Sequence, residues 1–353
     1  MSWLTRMWTV ASIELQQRVR GVAWYVLLGV FVFIVLIVTV FTSLATANTD
    51  APGAVLYSLI VYFVLLLGTL VAPALSGNAI NGDREDGTLA TTQVTLVSTS
   101  QLVFGKLLAA WITSLGFLAA ALPFLVFALV LGGSSLGVSV VSILVLALEL
   151  GVVSAVGVGL SGLIRRPLFS VVVTYLVVAF LSVGTLIAFG LGSAVAQEEV
   201  TYEYEAIDWA ASSDEIDPET GYPVELVCRT ETSTYVAPRP DRVWWMLAAN
   251  PYVLLADAVP ARFDRYDNPD DLFGTVKFMV RQAQLAPGAS GWSECELATE
   301  DPVGVAPSVL ESTTPSWAIG LALHVLLAGG LVAGAIARTR APAKRMAAGA
   351  RVA

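Results

Sequence analysis

Histidine is nearly absent from this chain: 353 residues carry one, His324, alongside two cysteines, Cys228 and Cys295. No metal-ligand cluster or catalytic triad is visible, and the position of His324 inside an apolar run removes most histidine-based chemistry. Charge is scarce as well, at 13% of residues, roughly half of what a soluble domain carries. A phosphate-binding loop is missing too. Gly105-Lys106 is the only Gly-Lys pair, and no glycine precedes it where G-x-x-x-x-G-K-[ST] requires one. The chain is therefore expected to have no catalytic residues and to bind no cofactor or metal of its own. Asp264, Asp267, Asp270 and Asp271 have the composition of a calcium loop, but Tyr266 and Pro269 break its spacing. Solvated acidity is the expectation there.

What is abundant is apolar surface, with 56% hydrophobic residues and a mean hydropathy of +0.75. Six apolar runs, at about 22–45, 55–77, 101–131, 138–164, 167–196 and 317–337, have the roughly 20 residues a helix needs to cross a bilayer core. Peptide groups in lipid must bond within their own segment, which makes these runs helices. Ala45-Thr46-Ala47 has the small-x-small form of a signal cleavage site. The run before it is longer than an h-region of about 7 to 15 residues, so a retained span is expected.

Lys and Arg placement sets the orientation. With the N-terminus inside, the inner side holds Arg6, Arg18, Arg20, Arg84, Lys106, Arg165, Arg166, Arg338, Arg340, Lys344, Arg345 and Arg351, and the two short outer loops hold none. This predicts a multi-pass protein of the cell membrane with both termini cytoplasmic. Between Glu198 and Glu311 lie 22 of the 28 acidic residues against 7 basic ones, so the overall charge of −9 averages two unlike regions. An acidic outer face repels nucleic acid, and none is expected as a partner. Both cysteines fall in this outer segment, where an oxidising compartment favours pairing them. Closing that loop would constrain the unfolded chain by about 4 kcal/mol; two buried thiols are the alternative.

The organisation expected is an amphipathic interfacial helix at 1–21, five spans within 22–196, an extracellular segment at 197–315, a sixth span at 316–338 and a basic cytoplasmic tail at 339–353, close to anionic membrane lipids. In the first helix Trp3, Leu4, Met7, Trp8, Ala11 and Leu15 form one stripe, with Arg6, Thr9, Ser12, Gln16 and Arg20 largely opposite. In the outer segment Val200, Tyr202 and Tyr204 alternate with Thr201, Glu203 and Glu205, which predicts a half-exposed strand, with weaker strands at 224–227 and 233–236. Asn250-Pro251 caps and opens a helix to about 259, and another is expected over 271–285. This describes a small α+β domain.

Two ionisable residues fall inside spans, Glu149 in the fourth and His324 in the sixth. Each costs a few kcal/mol to insert, so each faces the bundle interior, either in a translocation path or in a satisfied hydrogen bond. Gly151, Ala155 and Gly159, and Gly330 with Gly334, form small-residue faces suited to close packing.

Between the second and third spans, at 78–100, Gly82 and Gly87 bracket Asp83-Arg84-Glu85-Asp86, Thr88 opens a stretch able to form a short helix to Val97, and Ser98 with Gln101 fits a capping box. A folded elbow of this kind can transmit force. The run Asp83-Arg84-Glu85-Asp86-Gly87-Thr88-Leu89, then Thr95-Leu96-Val97-Ser98 and Gln101-Leu102-Val103-Phe104-Gly105-Lys106, resembles the region after the second span in type 2 ATP-binding-cassette (ABC) transporter permeases. Asn250-Pro251-Tyr252 is similar to the outer region of the same family. Leu96 stands where that pattern has proline, and the outer insertion is longer than in minimal members.

The resemblance implies an all-α polytopic membrane protein whose cytoplasmic coupling helix contacts a separate ABC ATPase subunit through Asp83, Arg84, Glu85, Gly87, Thr88 and Leu89. It further implies a second permease subunit, the same chain or a related one, and export driven by ATP and Mg bound to the partner ATPase. A membrane-anchored receptor or assembly protein, whose extracellular domain binds a protein partner, is the alternative.

Overall fold

The computed structural model describes residues 2–47, 52–85, 87, 97–218, 221–263, 268–287, 293, 295 and 305–339. Helix α1, Trp3–Arg20, starts at Ser2, whose Oγ accepts from the Thr5 amide at 3.3 Å. After it come α2 (Val22–Ala45), α3 (Pro52–Ser76), the short α4 (Ala79–Glu85), α5 (Thr99–Val130) and α6 (Leu136–Leu163). The fifth span is α7 (Pro167–Ala179), a π turn at Phe180–Gly184, and α8 (Thr185–Val195). Among the described residues six helices are long and apolar enough to cross a membrane, as in a multi-pass membrane protein. The expected capping box closes: Ser98 Oγ accepts from the Gln101 amide at 3.4 Å and Gln101 Oε1 from the Ser98 amide at 2.8 Å.

Helix α3 is the centre of the bundle. Leu56, Ile60, Val61, Val64 and Leu65 have no exposed surface and pack against Phe117, Ala121 and Leu125 of α5 and Leu146 and Leu150 of α6. The span windows of α2 and of the fifth helix are each only 17% buried, which suits helices whose apolar sides face lipid. The last span, α13 (Ser316–Thr339), closes on α6 because glycines allow it. A Cβ on Gly159 would lie 2.7 Å from Leu331 Cβ, and one on Gly162 only 2.4 Å from Ala335 Cβ. Gly151 meets Trp111 and Gly334 meets Leu163 in the same way, whereas Gly330 faces open space and packs against nothing.

The segment between the fifth and sixth spans has two parts. Strands β1 (Gln197–Ile207) and β2 (Cys228–Pro238) pair antiparallel, Gln197 opposite Pro238 and Ile207 opposite Cys228. Val200, Tyr202 and Tyr204 are half-buried and Thr201, Glu203 and Glu205 exposed, as the alternation predicts. Of the two weaker strands, one forms and one does not. Residues 233–236 lie within the longer β2, while 224–227 are no strand because the Val227 carbonyl and amide are taken locally by the Asp208 amide (2.8 Å) and Ser212 Oγ (3.0 Å).

The other part is helical: α9 (Trp245–Ala248), α10 (Pro251–Ala258), α11 (Leu272–Gln282) and α12 (Val305–Ser312). Asn250 caps α10, its Oδ1 accepting from the Tyr252 and Val253 amides at 2.9 and 3.3 Å. Leu255, Val259 and Phe273 of this part belong to the same hydrophobic core as α3, α5 and α6.

Candidate functional site

Helix α4 is tied to three other helices at one end of the bundle. The chain turns at Gly77 and Asn78 between α3 and α4, and Arg18 of α1 donates to the Leu75 carbonyl at 3.1 Å and to Thr113 Oγ1 at 3.2 Å. Burial pulls the Arg18 guanidinium below its ordinary pKa while Glu14 opposes this. A helix start leaves amide donors without partners. Here Ser161 Oγ of α6 accepts from the Ile80 and Asn81 amides at 2.9 and 3.1 Å. Asn81 Nδ2 donates to the Ile164 carbonyl at 2.7 Å, so α4 lies laced along the last turn of α6.

The residues expected to meet a partner ATPase divide on this scaffold. Asp83 pairs at 2.9 Å with Lys106 of α5, whose ammonium also pairs with Glu14 of α1. The Lys106 side chain is 3% exposed, those of Glu14 and Asp83 19% and 25%. Arg84 donates to Asn81 Oδ1 at 2.9 Å and to the Gly162 carbonyl at 3.1 Å. Both side chains thus hold α4 to the bundle. Glu85 and Gly87 are exposed. Gly87 has φ of 69°, the left-handed conformation that ends a helix most cheaply as glycine. Thr88 and Leu89, with the rest of 88–96 where the helix is expected, lie outside the described residues, and Val97 is not helical.

Glu149 and His324 meet each other in the bundle interior, each with 1% of its side chain exposed. His324 Nδ1 is 2.9 and 3.1 Å from the two Glu149 carboxyl oxygens, and Nε2 is 2.9 Å from the Ala249 carbonyl. Both contacts are satisfied by imidazolium with carboxylate, or by a neutral imidazole protonated at Nε2 beside a protonated Glu149. Either way the pair is neutral overall and holds one proton between its members. The adjacent void, bounded by Thr69, Val178, Leu181 and Pro251, is about 10 Å³, room for about one water. Next in sequence, Asn250 Nδ2 donates to the Ser182 carbonyl in the π turn at 2.5 Å and to Thr185 Oγ1 at 2.9 Å. One chain of polar contacts therefore joins α6, α13, the α9–α10 junction and the fifth span.

Sequence reasoning missed two groups. Lys106 reads as a positive flank to a span and is instead the buried centre of an ionic cluster. Asp257 reads as surface acidity, yet it is buried, pairs with Arg281 at 2.7 Å and accepts from Ser316 Oγ and the Trp317 amide at 2.8 and 3.0 Å. It thereby caps α13 and joins it to α10 and α11. A lone Asp within an apolar helix, Leu254-Leu255-Ala256-Asp257-Ala258, was the available signal.

An apolar groove of about 650 Å³ opens between α5, α6 and α13, with Phe104, Leu107, Trp111, Ala147, Ala328 and Val332 in a wall that contains no ionisable side chain. Among the described residues no cluster of His, Cys, Asp and Glu could hold a metal ion. Cys228 and Cys295 form a disulfide across 67 residues, tying the start of β2 to the segment beside Ser293, which bridges to Glu205 of β1. No family model and no curated protein sequence matches this chain.

Proposed function

We propose that this chain is the membrane-spanning permease subunit of an ABC exporter, moving its substrate outward on ATP hydrolysis by a separate ATPase subunit. In this reading the α4 end is cytoplasmic, ATP and Mg bind the partner, and a second permease, identical or related, completes the pathway. The observation that carries it is the lacing of α4. Six apolar helices supply the barrier, and a short helix fixed to α1, α5 and α6 by Lys106, Ser161, Asn81 and Arg84 supplies a lever. Pressure on exposed Glu85 and Gly87 would move those helices together. The groove between α5, α6 and α13 supports a cargo with a hydrophobic body.

The test uses the chain co-purified with its ATPase, scored for stimulated ATP hydrolysis. Glu85→Ala is expected to weaken docking, and Arg84→Ala to leave docking intact while stimulation falls. Undiminished stimulation in both variants would sink the reading. A receptor is the second reading, favoured by the disulfide-tied ribbon, on which Tyr202 packs 5.5 Å from both Tyr204 and Tyr235. A receptor would retain its partner through residues 197–238 with no ATPase present; a permease would be inert alone.

A further inference from the structure

Arg84, Arg165 and Arg338 converge on one corner of the α4 end, and the backbone places them there. Arg84 reaches the Gly162 carbonyl at 3.1 Å, and Asn81 holds the carbonyl of Ile164, the residue before Arg165. Gly162 packs directly on Ala335, one helical turn before Arg338. Arg165 and Arg338 lie close enough to Arg84 for both to repel it.

Among the described residues no carboxylate answers these charges. The partners of Arg84 are a neutral amide and a carbonyl. Asp83 is held by Lys106, and among the described residues neither Arg165 nor Arg338 makes an ion pair. Arg165 and Arg338 are exposed and Arg84 is half-buried. The next helix, α7, starts from the same linker with no side-chain cap on its first amides, which adds a positive helix end beside the trio. Like charges so arranged repel unless an anion joins them.

We propose that this corner binds the phosphate of an anionic phospholipid headgroup. Arg165 and Arg338 lie at the ends of long apolar helices, with Arg84 beside them on α4; helix ends of this kind meet the headgroup region of a bilayer, where a lipid delivers its phosphate without leaving the membrane. Guanidinium groups suit such a ligand because each offers paired donors to phosphate oxygens. A bound headgroup would bridge α4, the end of α6 and α13, bracing the lacing described above. The proposal does not need the permease reading, since the experiment uses this chain alone.

The purified chain is placed in nanodiscs of phosphatidylcholine with increasing phosphatidylglycerol, then followed by native mass spectrometry for retained lipid and by thermal midpoint. One phosphatidylglycerol per chain is expected to survive release, in preference to phosphatidylcholine, with a saturable rise in midpoint. The double variant R165Q/R338Q removes no side-chain hydrogen bond among the described residues, so it should melt like wild type in pure phosphatidylcholine. It should bind phosphatidylglycerol roughly thirtyfold more weakly, from about one charge-equivalent of membrane attraction per arginine. Arg229→Gln, on the ribbon, should leave binding unchanged. Wild-type lipid affinity in R165Q/R338Q, or equal retention of the two lipids, would overturn the proposal. So would a thermal shift from inorganic phosphate as large as that from the lipid.

Discussion

Replacing Lys106 by methionine should separate α1 and α4 from α5. The Lys106 side chain is 3% exposed, and its ammonium pairs with both Glu14 and Asp83. Deleting it leaves Glu14 and Asp83 without the cation they share. Removing one partner of a fully buried ion pair costs about 3–5 kcal/mol. Here Glu14 and Asp83 keep 19% and 25% of their surface in contact with solvent, so the lower limit, about 3 kcal/mol, applies. Asp83→Asn alone leaves Lys106 one carboxylate and should cost about 1 kcal/mol. The triple variant K106M/E14Q/D83N removes every charge and should recover most of the K106M loss. The assay is thermal unfolding in detergent, followed by the fluorescence of the nine tryptophans, with limited proteolysis after Arg18 and Arg20 reporting release of α1. A K106M protein that melts at the wild-type temperature, or a triple variant less stable than K106M, would refute this account of the corner.

His324→Ala leaves Glu149 buried and unpaired and should cost about 3 kcal/mol or more, whereas Glu149→Gln still satisfies both ring nitrogens and should cost about 1 kcal/mol; thermal midpoints in detergent compare the two. The double variant C228S/C295S should destabilise the ribbon by about 4 kcal/mol for a closed loop of this length. Hydrogen exchange should then rise over 197–238 and stay unchanged in α3 and α6. Burial raises the pKa of the Asp271 carboxyl, so the folded state holds that proton more tightly than the unfolded chain, and stability falls as pH climbs through the raised value. Asp271→Asn keeps the cap oxygen that accepts from the Gly274 amide at 2.7 Å. It should melt above wild type at neutral pH and level with it in strong acid; an offset that does not change with pH would contradict the assignment.

The spans could be read from sequence because length of apolar run is a signal that needs no partner. The same holds for local devices: Ser98 with Gln101, Asn250 ahead of Pro251, and the alternation through Tyr202 and Tyr204 are complete within a few residues. What could not be read depends on distant pairing. Lys106 and Glu14 are 92 residues apart, and nothing near either one announces the other. His324 and Glu149, 175 residues apart, each stood out as an intramembrane charge, but only the fold brings them together. Leu255, Val259 and Phe273 look like the apolar side of any surface helix, so their place in the core shared with α3 was hidden. Of the elbow, the charged residues were visible; that Asp83 and Arg84 bind the bundle while Glu85 stays exposed was not, because helix position alone does not say which neighbours supply acceptors.

Sidedness of the α4 end tests the central claim most directly. Both native cysteines are in the disulfide, so Glu85→Cys introduces a single thiol at an exposed position. A membrane-impermeant maleimide applied to intact cells should leave it unlabelled, and permeabilisation should then label it fully. Labelling at full extent in intact cells would put α4 on the outer side, beyond the reach of any ATPase that uses cellular ATP.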